Sequence, residues 1–465
     1  MRIEGSLIHD PRSYYAWIVD KGCFHHENAL PSLFCSEEKP FNPLAIREEW
    51  HKALHSVGPN AFFRLYVHIP FCESKCAYCM FPTDILRSQG AAAKAEEYLE
   101  YLASCFRFFS PVTRGAVFSA INIGGGTPSL LSARQLGRLA SSLRKAFSVW
   151  NNCRFSVEMN PKDVTTEKVT ILKSLGCNRV SLGIQSLNAK VLASVNRGHQ
   201  TQEISERALE TLKKAGIEHI NCDLLLGLTE DTGETLIESV DAALSRLQPS
   251  SVMIYYVERL QHLDYSMRIP EPEWYRHRQA LEKAFVRHLS HKKHHGYDIT
   301  HDANGYEFVK TTQTRRRTGG NDRLAVELME LGLGKNARST IGGVLEYRTL
   351  NTPAVFDKNE RSIMGKRISP HERLARQIIG CLSSLERIPW RMMLETQGID
   401  LLDYFKESID RLTREGGRIT VDGDDIRFLA TKPTERMTDF LYFLDYGRYG
   451  ALRNFRRRSP GRGSG

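Results

Sequence analysis

The chain has 465 residues, a length that predicts two or three domains or one large domain with appendages, and its 41% hydrophobic and 25% charged residues are typical of a soluble globular protein. No run of 18 apolar residues occurs, and the first residues show no secretory signal pattern, so we expect neither a membrane span nor a secretory signal. We therefore expect a cytoplasmic protein whose ten cysteines are reduced, where a tight cysteine cluster indicates a metal site before disulfides.

The formal net charge of +10 is compatible with a nucleic-acid partner and equally with an anionic small substrate. Much of the excess lies in Arg315–Arg317 and in the tail after residue 445, which we interpret as solvated and disordered. The C-terminal region offers few basic residues to a DNA groove, so we do not expect nucleic acid as a partner.

Short β-branched or aromatic runs alternate with longer amphipathic runs along the first half of the chain. Strands are predicted at 62–69, 116–123, 154–160, 179–185, 220–228 and 251–258. Helices are predicted near 92–108, 132–147, 165–175, 203–215 and 233–247. This alternation indicates βαβ units with a parallel sheet, and six strands predict a partial α/β barrel rather than a full one of eight.

Polar residues fall where these strands end. Gly124–Thr127 follow the second strand, Glu158 lies near the end of the third, Gln185 ends the fourth, and Asp223 interrupts the fifth. Ligands bind at the carboxyl ends of parallel strands, so we expect these residues to share one site.

The first strand leads into YVHIPFCESKCAYCMF, residues 66–81, where Cys72, Cys76 and Cys79 stand in a C-x3-C-x2-C spacing. A structural zinc site normally has four ligands, and the nearby His68 is predicted to lie packed within a strand. Three thiolates leave one iron of a [4Fe–4S] cluster open for the amino and carboxylate groups of S-adenosylmethionine (SAM). We prefer the cluster over a zinc knuckle with a remote fourth ligand.

This cysteine motif resembles that of the radical SAM superfamily. YVHIPFC, GGGTPS, EMNP, SLGIQS and NCDLLLGL occur in that order and are similar to the branch of oxygen-independent coproporphyrinogen III oxidase. The resemblance implies a partial barrel of six βα units followed by a small helical, winged-helix-like domain. It also implies a [4Fe–4S] cluster, two SAM molecules and an electron donor such as flavodoxin or ferredoxin.

Carried over position by position, the resemblance implies that Cys72, Cys76 and Cys79 bind the cluster. The positions that match those of the first, radical-forming SAM are Tyr66, Tyr78, Gly125 and Glu158. The positions that match those of a second SAM are Gly126, Thr127, Gln185, Arg197 and Asp223.

The branch contains several activities, so the resemblance leaves the reaction open. The oxidase has a further cysteine where this chain has Phe81, and the haem chaperones have a His-Asn-x-x-Tyr-Trp stretch that residues 297–322 lack. We therefore expect methyl or methylene transfer to an sp2 carbon of a small molecule, giving C-methylation or cyclopropanation. The alternatives are oxidative decarboxylation of a tetrapyrrole and a haem chaperone.

The domain prediction has four parts. Residues 1–60 form an N-terminal extension and a lid, and residues 61–345 form the partial barrel. Residues 346–445 form the C-terminal domain of the coproporphyrinogen oxidase type, and residues 446–465 form the basic tail.

Overall fold

We analysed a computed structural model of the chain. The residues that it describes are 38–56, 62–81, 83–86, 90–257, 270–290, 294–302, 305–312, 328–350, 363–368, 387–397, 400–414, 418–429 and 443. Most of the predicted N-terminal lid, the arginines at 315–317 and the basic tail lie outside these residues.

Strands and helices alternate through the described part of the first unit. The strands are β1 Lys39–Phe41, β2 Phe62–Ile69, β3 Phe71–Cys72, β4 Asp84–Ile85, β5 Phe118–Gly125, β6 Val149–Met159, β7 Arg179–Gln185, β8 His219–Leu226 and β9 Ser251–Tyr256. The helices are α1 Pro43–Ser56, α2 Ala91–Phe109, α3 Ala133–Ala146, α4 Thr166–Ser174, α5 Ala189–Ser194, α6 Gln202–Lys214 and α7 Gly233–Ala242. The six predicted strands and five predicted helices are thus confirmed.

Local sequence explains where the helices start and stop. The Ser132 hydroxyl accepts from Gln135 N, and the Gln135 side chain accepts from Ser132 N, a capping box that begins α3. Thr201 and Thr232 cap α6 and α7 in related ways. Gly176, with φ of +90°, follows α4 in the left-handed conformation that ends many helices.

The sheet extends beyond the predicted strands on both sides. After helix α8 Glu271–Leu289, the chain adds the strands β10 Tyr297–Asp302, β11 Gly305–Lys310, β12 Leu328–Leu333, β13 Arg338–Ile341, β14 Leu345–Thr349 and β15 Ile363–Arg367 to the sheet. The strand order is β1-β15-β14-β13-β12-β2-β5-β6-β7-β8-β9-β11-β10. Strands β12, β2 and β5 to β9 run parallel, and the flanking strands pair antiparallel.

The two faces of the parallel strands differ in chemistry. Every second residue is apolar and packs with the helices in one core cluster, as Val67, Ile121, Phe155, Leu182 and Cys222 do. The alternate residues are largely polar and point to the other face, which we call the inner face of the partial barrel. The register of the strands places these residues side by side in rows across the sheet. One row contains Tyr66, Asn122, Ser156, Arg179 and His219.

A second compact unit contains the described residues beyond Arg367. Its strands β16 Arg387–Ile388, β17 Ile419–Asp422 and β18 Asp425–Phe428 form a sheet in the order β16-β18-β17. Its helices are α9 Trp390–Gln397, α10 Leu401–Tyr404 and α11 Lys406–Arg414. Within this unit the rings of Phe405 and Phe443 stack, with 4.3 Å between the ring centroids. Short helices with a small antiparallel sheet agree with the predicted winged-helix-like domain.

Candidate cofactor site

The three motif cysteines lie on the loop that leaves the carboxyl end of β2. Cys72 belongs to β3, which pairs with β4 on the far side of the loop. Cys79 N donates to Cys76 O at 3.1 Å, so a tight turn brings the last two cysteines together. Lys75 Nζ donates to Phe81 O at 2.7 Å and ties the two ends of this turn.

The segment Val195–Arg197 holds the cysteine loop from the opposite side. Ala77 N donates to Val195 O at 3.2 Å, and Asn196 Nδ2 donates to Lys75 O at 2.8 Å. Asn196 adopts a left-handed backbone with φ of +62°, which asparagine tolerates better than most residues. Sequence reasoning missed Val195 and Asn196; the only local signal was an asparagine beside a predicted site arginine.

Arg197 reaches the cysteines directly. Its Nη1 donates to Cys76 Sγ at 3.6 Å, while Nη2 donates to Gly183 O at 2.7 Å and to Gln200 Oε1 at 2.6 Å. The side chain is buried, and its Nε has no hydrogen-bond partner among the described residues. Tyr78, predicted to hold the first SAM, lies within electrostatic reach of Arg197 and Cys76, and burial raises its pKa well above the usual value.

The glycines after β5 form the wall opposite the cysteines. Gly126 N donates to Ile69 O and Thr127 N to Phe71 O, both at 2.7 Å. The Thr127 hydroxyl lies 3.4 Å from Cys72 Sγ. A Cβ on Gly126 would lie 2.6 Å from Phe71 O, so the close approach requires glycine. Gly126 and Thr127 therefore support the cysteine loop, and their predicted role at a second SAM stays a prediction.

Glu158, Gly125 and Tyr66 meet beside this wall. Glu158 Oε2 accepts from Gly125 N at 3.2 Å, and Gly125 has a φ of +114°. Burial raises the pKa of Glu158, and the charge of Asp223 raises it further. Burial also raises the pKa of Tyr66, with Glu158 the next cause. These three predicted residues of the first SAM site thus converge on one buried, polar place.

The predicted second-site residues gather around Gly183. Gln185 has a φ of +69°, and its Nε2 would lie 2.8 Å from a Cβ at Gly183. Asp223 is the register partner of Gly183 on β8. Its carboxylate accepts from Ser181 Oγ and from Asn221 Nδ2, each at 2.6 Å, and burial raises its pKa.

The donor set fits a cluster with a bound ligand. Burial raises the pKa of the Cys72 and Cys79 thiols, and the neighbouring thiols raise both further, so the three cysteines lie within electrostatic reach of one another. Among the described residues, no three His, Cys, Asp or Glu side chains converge as one metal ion requires. A cubane instead offers a separate iron to each thiolate. The glycines of the wall let the Glu158 and His68 side chains approach the backbone more closely than a Cβ would allow.

Comparison with known proteins agrees with this geometry. The Radical SAM superfamily model matches residues 66–243. Heme chaperone HemW of Lactococcus lactis is 35% identical over 40% of this chain and 46% of its own length. Oxygen-independent coproporphyrinogen III oxidase of Pseudomonas aeruginosa is 32% identical over 46% of this chain and 45% of its own length. The chain thus spans about half the length of these curated relatives.

Other matches extend further. Heme chaperone HemW of Synechocystis is 27% identical over 80% of this chain and 90% of its own length. The solved structure of coproporphyrinogen III oxidase (HemN) from Escherichia coli covers 86% of this chain and 93% of its own, with a TM-score of 0.71. At 22% identity this likeness establishes the fold alone.

Residues 66–243, which contain the cysteine loop, match the Radical SAM superfamily, whose members use a [4Fe–4S] cluster and SAM. Over part of its length the chain is similar to HemW and to oxygen-independent coproporphyrinogen III oxidase, and it shares the fold of HemN. The predicted methyl transfer gains no support from these names, which favour the alternatives.

No helix in the described residues has the length and apolar character needed to cross a membrane.

Proposed function

We propose that this chain is a radical SAM enzyme that acts on a tetrapyrrole, as an oxygen-independent coproporphyrinogen III oxidase does. The observation that carries the proposal is the three-cysteine loop whose Cys72 thiol lies 3.4 Å from the Thr127 hydroxyl, next to the Gly125–Glu158 contact, in a fold like that of HemN. The names of the relatives, porphyrinogen oxidase and haem chaperone, support a tetrapyrrole ligand.

The proposed reaction is oxidative decarboxylation of a propionate side chain. When bound, the cluster and SAM supply a radical that abstracts one hydrogen atom from a carbon of the substrate. Removal of this hydrogen atom from the carbon β to the carboxylate, then of one electron, leaves a vinyl group and CO2. The electron passes to a one-electron acceptor, and a flavodoxin or ferredoxin is the proposed donor that reduces the protein.

In this proposal the chain's own residues hold the ligands and exclude water. Glu158 is partly buried and accepts from Gly125 N, and its carboxylate has lone pairs left for an ammonium or hydroxyl group. Tyr66 lies beside it, with its hydroxyl 3.0 Å from His68 Nδ1. Arg197 fixes Cys76 in place from the opposite side.

The test is anaerobic incubation of reconstituted protein with SAM, dithionite and coproporphyrinogen III, with an electron acceptor present. We expect 5′-deoxyadenosine together with CO2 and a vinyl-bearing product lighter by CO2 and two hydrogen atoms. Cys76→Ala should give none of these, whereas Cys153→Ala, which alters a buried cysteine elsewhere, should react normally. SAM cleavage without a decarboxylated product contradicts the proposal.

Methyl transfer is the second candidate, and two observations favour it. Phe81, which is 52% exposed, stands where the oxidase has a further cysteine, and Gln185 and Asp223 lie near Gly183 as a second SAM site would require. In the same incubation, S-adenosylhomocysteine formed along with 5′-deoxyadenosine indicates this class. Haem binding without any SAM cleavage indicates a chaperone.

A further inference from the structure

Three arginines converge on the inner face below the cofactor site. Arg64 on β2 and Arg154 on β6 lie in one register row, each paired with Ala120 on the strand between them. Arg179 on β7 lies one row higher, where it pairs with Ser156. Residues of one row share a face, and so do residues two apart on one strand, such as Arg154 and Ser156. The three guanidinium groups therefore point to the same side of the sheet, and Ala120 leaves space between two of them.

The positive charge of this arginine group is only partly compensated. Arg64 Nε forms a salt bridge with Glu330 at 3.3 Å. In the part of the chain that the structure describes, neither Arg154 nor Arg179 has a carboxylate within 4.0 Å. Glu307 acts on Arg154 only at longer range. Partial desolvation on the inner face, together with the charges of Arg179 and Arg64, lowers the pKa of Arg154 to about 10.

The arginine group is separated from the cofactor residues by several residues along the strands. Arg154 precedes Glu158 by four residues on the same face of β6, which corresponds to about 13 Å along a strand. Tyr255 lies on this face too, is 40% exposed, and interacts electrostatically with both Glu158 and Arg179. The inner face thus carries cationic groups at one level and an exposed aromatic ring nearer the cofactor site.

We propose that Arg154 and Arg179, with Arg64 beside them, bind carboxylate groups of the substrate and hold its reacting carbon toward the cofactor site. This inference rests on the proposed tetrapyrrole function and adds to it the residues that recognise the anionic side chains. An arginine fork matches a carboxylate with two parallel hydrogen bonds, and two unpaired forks on neighbouring strands suit a ligand with several carboxylates. The aromatic ring of Tyr255 offers a surface to a flat macrocycle.

The test measures porphyrin affinity of the anaerobic, cluster-loaded protein. The probes are coproporphyrin III, which has four propionates, and etioporphyrin, which has only alkyl groups. Porphyrin fluorescence is titrated with wild type, Arg154→Gln/Arg179→Gln and Arg154→Lys/Arg179→Lys. The matched control is Arg207→Gln, an exposed arginine on the outer side of α6. Cluster absorbance and circular dichroism verify that each variant is folded.

We expect wild type and Arg207→Gln to bind coproporphyrin III alike and more tightly than etioporphyrin. The double glutamine variant should lose roughly tenfold in affinity for each arginine removed, and only for coproporphyrin III. The double lysine variant retains the positive charges but not the forked donors, so its affinity for coproporphyrin III should lie between those of wild type and the double glutamine variant.

Two outcomes contradict the inference in different ways. If the glutamine variant binds coproporphyrin III as wild type does, the arginine site is wrong while the proposed function stands. If wild type binds neither porphyrin, both are wrong. Conversely, arginine-dependent binding without any decarboxylated product supports the site and contradicts the proposed reaction.

Discussion

The guanidinium of Arg197 donates a hydrogen bond to the thiol of Cys76 at 3.6 Å, although 121 positions separate the two residues. Both protons of Nη2 are already used by Gly183 O and Gln200 Oε1. No neighbouring pair of N–H groups therefore remains for a bidentate carboxylate. This arrangement favours a role at the cluster over the predicted role at the carboxylate of a second SAM.

The first prediction concerns the reduction potential of the cluster. Arg197→Gln should lower it by about 60 mV, because the reduced cluster, with one more negative charge, loses a cation and a hydrogen bond to a ligating sulfur. Potentials come from an EPR-monitored redox titration, with Arg207→Gln as the matched arginine control. An unchanged potential with weaker SAM binding would show that Arg197 acts on SAM instead.

The second prediction concerns the ligands. Cys72→Ala, Cys76→Ala and Cys79→Ala should each abolish the brown cluster absorbance, since a methyl group cannot replace a thiolate. Cys153→Ala and Cys222→Ala, which alter buried cysteines of the core, should retain it. Iron and sulfide analysis after anaerobic reconstitution checks both sets. A colourless, zinc-loaded wild type that retains activity would overturn the cluster assignment.

The third prediction concerns the glycine wall. Gly125→Ala should destabilise the fold by about 1–3 kcal/mol, because the left-handed backbone disfavours a Cβ. That Cβ would also lie 2.6 Å from the His68 ring. We expect weaker SAM binding as well, since Gly125 N holds Glu158.

Gly115→Ala is the control for that prediction, because a Cβ there meets nothing within 4 Å. Urea unfolding gives the stability of both variants and isothermal titration gives their SAM affinity. If Gly125→Ala and Gly115→Ala are equally stable, a Cβ at position 125 causes no strain and the prediction is wrong.

The fourth prediction concerns pH. Burial lowers the pKa of His68 from 6.5 to about 4, with the Lys335 charge adding to this and Asp84 opposing it. The unfolded chain therefore binds a proton that the folded chain does not between about pH 6.5 and 4, and stability falls as pH decreases through this range. Between pH 7.5 and 5.5 this histidine alone should cost about 1.4 kcal/mol.

The comparison is with His68→Asn, whose side chain can still accept from Tyr66. Urea unfolding of both cluster-loaded proteins across this pH range separates the contribution of His68 to the free energy of unfolding from those of the other titrating groups. Parallel pH profiles for the two proteins would contradict a buried, neutral His68.

The sequence alone determined the elements and the chemistry that are encoded locally. Alternation of apolar residues with a period of two marked the six parallel strands, such as Phe62–Ile69 and Arg179–Gln185, with bounds within a few residues. The spacing of Cys72, Cys76 and Cys79 indicated the cofactor, because a thiolate count is independent of the fold. The polar residues at strand ends predicted one shared site, since parallel strands end at one edge.

Only the tertiary structure decided which distant residues meet. Sequence pattern did not predict that β12 pairs parallel with β2, or that β13 to β15 extend the sheet, because pairing register depends on the whole chain. Nor did it predict that Arg197 contacts Cys76, or that Arg154 and Arg179 share a face with Glu158. Strand order and register bring these side chains together, and a local hydrophobic pattern contains neither.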